Sequence, residues 1–130
     1  MNASEKVNFI SNWIKDYANN MPSKAQSLVI GISGGIDSAL TSTLCASTGL
    51  PTICIDMPIM QNKNEVNRAS SHIKWLQKKF NNVIRKSVDL NDVFNSFKNT
   101  VEQNNDKNKI SINKINEHVM SCRTNELFKE

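Results

Sequence analysis

The chain has 130 residues, 38% hydrophobic and 22% charged, with a formal net charge of +4. This composition excludes collagen-like and disordered classes, and the length favours one domain over residues 1–130. No apolar run reaches the roughly 18 residues of a membrane helix. Polar residues interrupt the first twenty positions, so we expect no signal peptide, no membrane partner and a cytoplasmic location.

The charges argue against a nucleic-acid-binding protein, and the cysteines argue against a zinc protein. Basic and acidic residues are mixed along the chain, which is typical of solvated surfaces, so we expect no nucleic-acid partner. Cys45, Cys54 and Cys122 form no zinc pattern and are interpreted as buried free thiols. His72 and His118 have no metal ligands at suitable spacing. We therefore expect the histidines to lie at the surface or in helix packing.

Alternating helical and extended patterns predict an α/β fold. An amphipathic first helix carries Val7 and Trp13, and the apolar run Leu28–Ile32 is typical of a strand buried on both faces. The next predicted elements are helix Asp37–Thr48, strand Thr52–Met57, helix Lys63–Phe80, strand Val83–Val88, helix 91–103 and an apolar stripe at 112–122. This order predicts a three-layer, doubly wound parallel sheet in the order 3-2-1, with the first strand at one side.

The loop after the first strand carries most of the functional information. Ligands of doubly wound folds bind at the carboxyl ends of strands. Adjacent glycines let an anion approach the backbone, and amides at a helix start point toward bound phosphate. Two serines add hydroxyl donors. The predicted phosphate-binding residues are Gly31, Ile32, Ser33, Gly34, Gly35, Ile36, Asp37 and Ser38.

Asp37 separates this loop from the two commonest phosphate-binding loops. A Walker A loop has a lysine where this chain has Asp37, and the Rossmann glycine spacing is absent. A carboxylate beside a polyphosphate is repulsive unless a divalent cation lies between them, so Asp37 is predicted to hold Mg²⁺. A lone acid at a helix start more often only complements the helix dipole. The surrounding Ser-Gly-Gly-x-Asp-Ser string favours the metal role.

Ser33–Ser38 resembles the PP-loop of the N-type ATP pyrophosphatases, whose fold is of the adenine nucleotide alpha hydrolase type. Within that group the chain is similar to the ammonia-dependent NAD synthetases. The likeness is carried by residues 29–39, by Met57-Pro58-Ile59 and by residues 68–76. It implies ATP as substrate, Mg²⁺ as cofactor and a homodimer, with Phe94 and Phe97 in the core or the dimer interface.

The resemblance also implies a ligation in two steps. The nicotinate carboxylate of deamido-NAD attacks the α phosphate of ATP and pyrophosphate leaves; ammonia then displaces AMP to give NAD. Loop amides, Ser33 and Ser38 would hold the pyrophosphate. The attacking carboxylate is already ionised and needs no base, so no catalytic side chain is identified. The main chain of residues 55–57 is the expected adenine site.

Members of this family are much longer than the chain, so the resemblance covers only their N-terminal half. We expect a truncated domain that binds ATP weakly and makes no NAD. Two alternatives stay open. One is a non-catalytic nucleotide-binding or dimerising module. The other is a different PP-loop ATP pyrophosphatase, which would need a catalytic CxxC pair, an RNA-binding extension or an amidotransferase domain that this sequence does not contain.

Overall fold

The computed structural model describes residues 1–60 and 62–104. Contacts divide the chain into two compact units, Met1–Leu90 and Asn91–Glu130. The single domain expected over residues 1–130 stays a prediction, and the apolar stripe at 112–122 lies outside the described residues. The elements are α1 (Ala3–Asn19), β1 (Leu28–Gly31), α2 (Ile36–Ser47), β2 (Thr52–Asp56), α3 (Lys63–Lys79), β3 (Val83–Ser87) and, in the second unit, α4 (Asn91–Gln103).

The three strands form a parallel sheet in the order β1-β2-β3, which confirms the predicted order and the edge position of the first strand among the described strands. Cys54 of β2 lies between Ile30 of β1 and Arg85 of β3. The predicted boundaries differ from the observed ones by about one residue, which is the usual scatter at element ends. None of the helices in the described ranges has the length and apolarity to cross a membrane.

The core lies between the sheet and one layer of helices. Helices α2 and α3 contact each other as well as the sheet, so both crossovers lie on the same face. Helical spacing predicts that Val66, Ala69, Ile73, Leu76 and Phe80 lie on the inward face of α3. Ala69, Ile73 and Leu76 are confirmed as buried, whereas Val66 and Phe80 are half-buried. The three buried residues pack with the strand residues of the same face. The full cluster is Ile32, Ala46, Cys54, Ala69, Ile73, Leu76 and Val83.

The prediction that β1 is buried on both faces is wrong for the described residues. Val29 is 62% exposed, and Ile84 on the same face of the sheet is 47% exposed. Helices α2 and α3 both cover the same face of the sheet, so neither helix covers the opposite face, where the odd-numbered residues of β1 lie. The continuous apolar run of β1 predicts two buried faces, but this structure buries one.

Several apolar helix residues are also more exposed than expected. Trp13 and Trp75, which we expect to be packing residues, are 59% and 45% exposed. Helix α1 instead buries small residues, Ser11 and Ala18, and the Ser11 hydroxyl donates a hydrogen bond to the Leu44 carbonyl of α2 at 3.3 Å. Small side chains allow α1 and α2 to approach closely. Large apolar residues of α1, such as Trp13, lie outside the contact between the two helices.

Candidate nucleotide-binding site

The predicted phosphate-binding loop lies at the carboxyl end of β1. The amide of Ile32 donates to the Ile55 carbonyl at 2.8 Å, which is the last bond between this strand and β2. Ile32 is buried, and the chain then turns outward to Gly35, the N-cap of α2. The structure therefore brings the predicted residues 31–38 together as one strand, loop and helix start.

Ser33 and Ser38 hold the loop closed across its base. The Ser33 amide donates to Ser38 Oγ, the Gly35 amide donates to Ser33 Oγ, and the two hydroxyl oxygens are 3.1 Å apart. The Ser38 hydroxyl donates to the Gly35 carbonyl at 3.2 Å. In the bond between the two serines, the Ser33 hydroxyl is therefore the donor and Ser38 Oγ the acceptor. Both hydroxyl protons are used inside the loop, and a phosphate must compete for them.

The amides at the start of α2 are available for an anion. Among the hydrogen bonds of the described residues, none uses the amides of Ile36 and Asp37, whereas Ala39 already donates to the Gly35 carbonyl. Ile36 and Asp37 are exposed. Free amides at a helix N-terminus carry partial positive charge and bind phosphate oxygens. This end of α2 is thus preformed for a negatively charged group.

Gly34 is required by the packing of the loop against α3. It has φ +87°, and a Cβ atom there would lie 2.5 Å from the Glu65 carbonyl oxygen and 3.4 Å from the Ala69 amide nitrogen. Gly35 has φ −88°, which other residues adopt easily. Of the two adjacent glycines, only Gly34 therefore uses a backbone angle that other residues rarely adopt.

The carboxylate of Asp37 lies exposed in the first turn of α2. Within residues 1–60 and 62–104, no three His, Cys, Asp or Glu side chains form a metal-binding group. Magnesium in nucleotide sites often takes one or two carboxylates, with phosphate oxygens and water completing its shell. A single carboxylate beside free backbone amides therefore fits Mg²⁺ that is carried by a polyphosphate.

Sequence reasoning missed a polar bridge near this site. Asp56 ends β2 with its side chain 9% exposed, and its Oδ2 accepts a hydrogen bond from Arg85 Nη2 at 2.6 Å. Arg85 Nη1 donates to Ser70 Oγ of α3 at 3.0 Å. Buried charges are normally paired, so an acid inside the apolar strand Thr52–Asp56 is a signal that could have indicated a partner.

His72 packs between α2 and α3, which is the second of its two expected positions, at the surface or in helix packing. Its Nε2 lies 2.9 Å from Ser42 Oγ, and the Ser42 hydroxyl donates to the Ala39 carbonyl at 3.0 Å. Burial lowers the pKa of His72 below its ordinary 6.5, although a backbone hydrogen bond with Ala39 opposes this shift. The ring stacks on Trp75, and the neutral imidazole suits this half-buried position.

Of the predicted buried thiols, Cys54 is fully buried and Cys45 is half-buried, and both are free; Cys122 lies outside the described residues. Burial, with Cys45 as a smaller cause, raises the pKa of Cys54 to about 11. Burial also raises the pKa of Cys45. Both thiols are therefore protonated at neutral pH, which argues against a nucleophilic role.

Comparison with known proteins matches almost the whole chain to one family. The family model described as NAD synthase matches residues 6–127. The NH3-dependent NAD⁺ synthetase of Finegoldia magna is 31% identical over 105 residues, which is 80% of this chain and 41% of that protein. The chain thus spans less than half the length of this curated relative.

Solved structures with similar folds also extend beyond the chain. NMN synthetase from Francisella tularensis superimposes with a TM-score of 0.68 at 27% identity, over 79% of this chain and 41% of its own. An NH3-dependent NAD synthetase from Campylobacter jejuni, in complex with nitrate ion, gives 0.68 at 22% identity, over 98% of this chain and 51% of its own. At that identity the second likeness concerns the fold alone.

Proposed function

The chain belongs to the NAD synthase family, and on that basis we propose that Gly31–Ser38 binds the phosphates of ATP for an amide-forming ligation in NAD biosynthesis. The observation that carries the proposal is the free amide pair of Ile36 and Asp37, which begins a helix at the carboxyl end of β1. An anion placed there meets backbone donors and the helix dipole together.

The proposed division of work follows from charge. The amides of Ile36 and Asp37 bind the β and γ phosphates, and the hydroxyls of Ser33 and Ser38 turn from each other to donate to the leaving pyrophosphate. Asp37 would hold Mg²⁺, which neutralises phosphate charge when bound. Backbone donors that are already in place cost little reorganisation when negative charge develops on the pyrophosphate.

The proposed reaction is the amidation of deamido-NAD with ammonia. A carboxylate oxygen of deamido-NAD bonds to the α phosphorus while the bond to the β-phosphate bridging oxygen breaks, and ammonia then replaces AMP at the carbonyl carbon. Because the chain spans 41% of the curated relative, we propose that these residues supply the ATP part of the site. The isolated chain is then expected to bind ATP without forming NAD.

The acid substrate has a second candidate. The Francisella tularensis neighbour is an NMN synthetase and is 27% identical to this chain, which favours nicotinate mononucleotide as an alternative to deamido-NAD. The two substrates share the nicotinate carboxylate and the adenylation step, so the role proposed for the loop is the same for both. An activity assay must offer each acid separately.

We also propose a cytoplasmic homodimer. Val93 and Phe97 on α4 are 66% and 61% exposed, so Phe97 is not a core residue among the described positions, and an apolar helix surface of this kind is typical of association sites. Sedimentation equilibrium of the parent and of Phe97→Ser measures this directly. A monomeric parent would contradict the dimer.

The phosphate role is tested by titrating the purified chain with ATP, ADP and AMP in the presence of Mg²⁺ in a calorimeter. ATP should bind most tightly and AMP most weakly, because AMP lacks the phosphates assigned to the loop. Equal binding of ATP and AMP, or no heat with millimolar ATP, would overturn the proposal.

A parallel assay offers ammonia with deamido-NAD or nicotinate mononucleotide. Amide formation by the isolated chain would contradict the expected division of the site.

A further inference from the structure

We infer that Ser70 and Arg85 are positioning residues for the nucleotide loop, which they affect through α3. The inference rests on the proposed function for its binding readout, but the coupling itself is a property of the fold. Neither side chain belongs to the loop: Ser70 lies in α3 and Arg85 in β3.

The loop takes its shape from the backbone of α3. The close approach of Gly34 to the Glu65 carbonyl leaves no room for a Cβ atom. Because the backbone of Gly34 lies against this carbonyl, a movement of the first two turns of α3 toward the loop would displace Gly34. Since Gly34 lies between Ser33 and Gly35, the shift reaches the hydrogen bonds that close the loop. The position of α3 thus decides the position of the phosphate-binding amides.

Apolar packing holds mainly the later turns of α3. Its buried residues are Ala69, Ile73 and Leu76, and the segment before Ala69 contributes only the half-buried Glu65 and Val66. Ala69 is a small anchor, because its methyl group buries little apolar area compared with a leucine side chain. The turns that contact Gly34 therefore need another attachment to the sheet.

The bridge from Arg85 supplies that attachment. Its two terminal nitrogens donate to different elements: Nη1 to Ser70 Oγ, directly after Ala69, and Nη2 to Asp56 Oδ2 at the end of β2. The planar guanidinium fixes the angle between its two bonds. Asp56 is nearly buried, and its Oδ1 has no hydrogen-bond partner among the described residues, so the acid depends on Arg85. The bridge joins the carboxyl end of β2 to the turn of α3 that lies beside Gly34.

The test compares Ser70→Ala with Ser71→Ala, its exposed neighbour on the same helix. Ser70→Ala removes the Arg85 bond and leaves the Asp56 pair in place, so it avoids an unpaired buried charge. Ser70→Thr restores a hydroxyl and serves as the conservative rescue. Val83→Ala, in the core at the start of β3, provides a variant whose stability is reduced without touching the bridge. The four variants and the parent are measured by urea unfolding, Mg²⁺-ATP calorimetry and NMR hydrogen exchange of the loop amides.

Ser70→Ala should weaken Mg²⁺-ATP binding by about 2-fold to 30-fold and speed exchange of the Ser33 and Gly35 amides. Ser71→Ala and Ser70→Thr should match the parent. The inference is overturned if Ser70→Ala and Ser71→Ala give the same exchange rates, or if Val83→Ala speeds loop exchange as much at an equal loss of stability. If the parent binds no Mg²⁺-ATP, the proposed function fails, and the exchange rates still decide whether Ser70 positions the loop.

Discussion

Gly34 lies directly against the carbonyl oxygen of Glu65, at a distance where a Cβ atom would approach to 2.5 Å. Glu65 belongs to the first turn of α3, whose N-cap Asn62 accepts a hydrogen bond from the Glu65 amide at 2.9 Å. The capped first turn of α3 thus packs against the loop that leads into α2. The sequence separates these residues by 31 positions, and their contact joins the loop to the crossover helix.

The first prediction concerns Gly34→Ala. The alanine meets both a positive φ and the Glu65 carbonyl, so we expect a loss of about 2 to 5 kcal/mol in the free energy of unfolding and weaker Mg²⁺-ATP binding. Gly49→Ala is the matched control, because Gly49 has φ +78° with open space around its Cβ position. It should lose only about 1 to 2 kcal/mol. Urea unfolding measures both, and equal losses would show that the Glu65 contact is unimportant.

The second prediction concerns Asp37→Asn, which keeps the size of the side chain and removes its charge. With Mg²⁺ present, ATP affinity should fall by about 10-fold, since a charged ligand to the cation is lost. With Mg²⁺ chelated, the variant should bind ATP at least as well as the parent, because the repulsion between carboxylate and phosphate is gone. Calorimetry with and without chelator measures this reversal.

Asp92→Asn is the control for Asp37→Asn. Asp92 also lies in the first turn of a helix, α4, and is exposed. Both substitutions weaken a helix-dipole interaction, so each should change stability by less than about 1 kcal/mol. Only Asp37→Asn should alter the effect of Mg²⁺ on ATP binding. The same Mg²⁺ dependence in Asp37→Asn and the parent would leave Asp37 with a dipole role alone.

The third prediction concerns the pH dependence of stability. Burial lowers the pKa of His72 below 6.5 in the folded chain, so the unfolded chain binds more protons in the interval between the folded pKa and 6.5. The His72 contribution to stability is therefore complete above pH 6.5 and is lost as the pH falls through the folded pKa. Urea unfolding at several pH values should show that the free energy of unfolding depends less on pH in this interval for His72→Gln than for the parent. The same pH dependence in both chains would show that His72 is not the titrating group.

The fourth prediction concerns thiol reactivity in the folded chain. Cys54 is fully buried with a pKa raised to about 11, whereas Cys45 is half-buried. Iodoacetamide at pH 8 should therefore modify Cys45 faster than Cys54, because alkylation requires an accessible thiolate. Mass spectrometry of the Cys122→Ser variant follows the two sites separately. In urea the two rates should converge, and faster labelling of Cys54 in the native chain would be the contrary result.

Local pattern alone was enough to predict the order of the elements, the parallel sheet and the loop that carries the candidate site. Helical spacing predicted α3 and its buried residues Ala69, Ile73 and Leu76 because an amphipathic helix records its inward face in its own sequence. The loop was identifiable for a similar reason: glycines, serines and Asp37 act within a few residues of each other. Family comparison supports this part of the interpretation.

Tertiary structure alone decided which surfaces meet. The exposure of Val29 follows from α2 and α3 lying on the same face, and the need for glycine at position 34 follows from a carbonyl in another helix. The bridge from Arg85 to Asp56 and Ser70 spans 29 and 15 positions. Hydrophobic periodicity reports how a segment divides its own faces between core and solvent, whereas these contacts depend on how separate segments are placed in space.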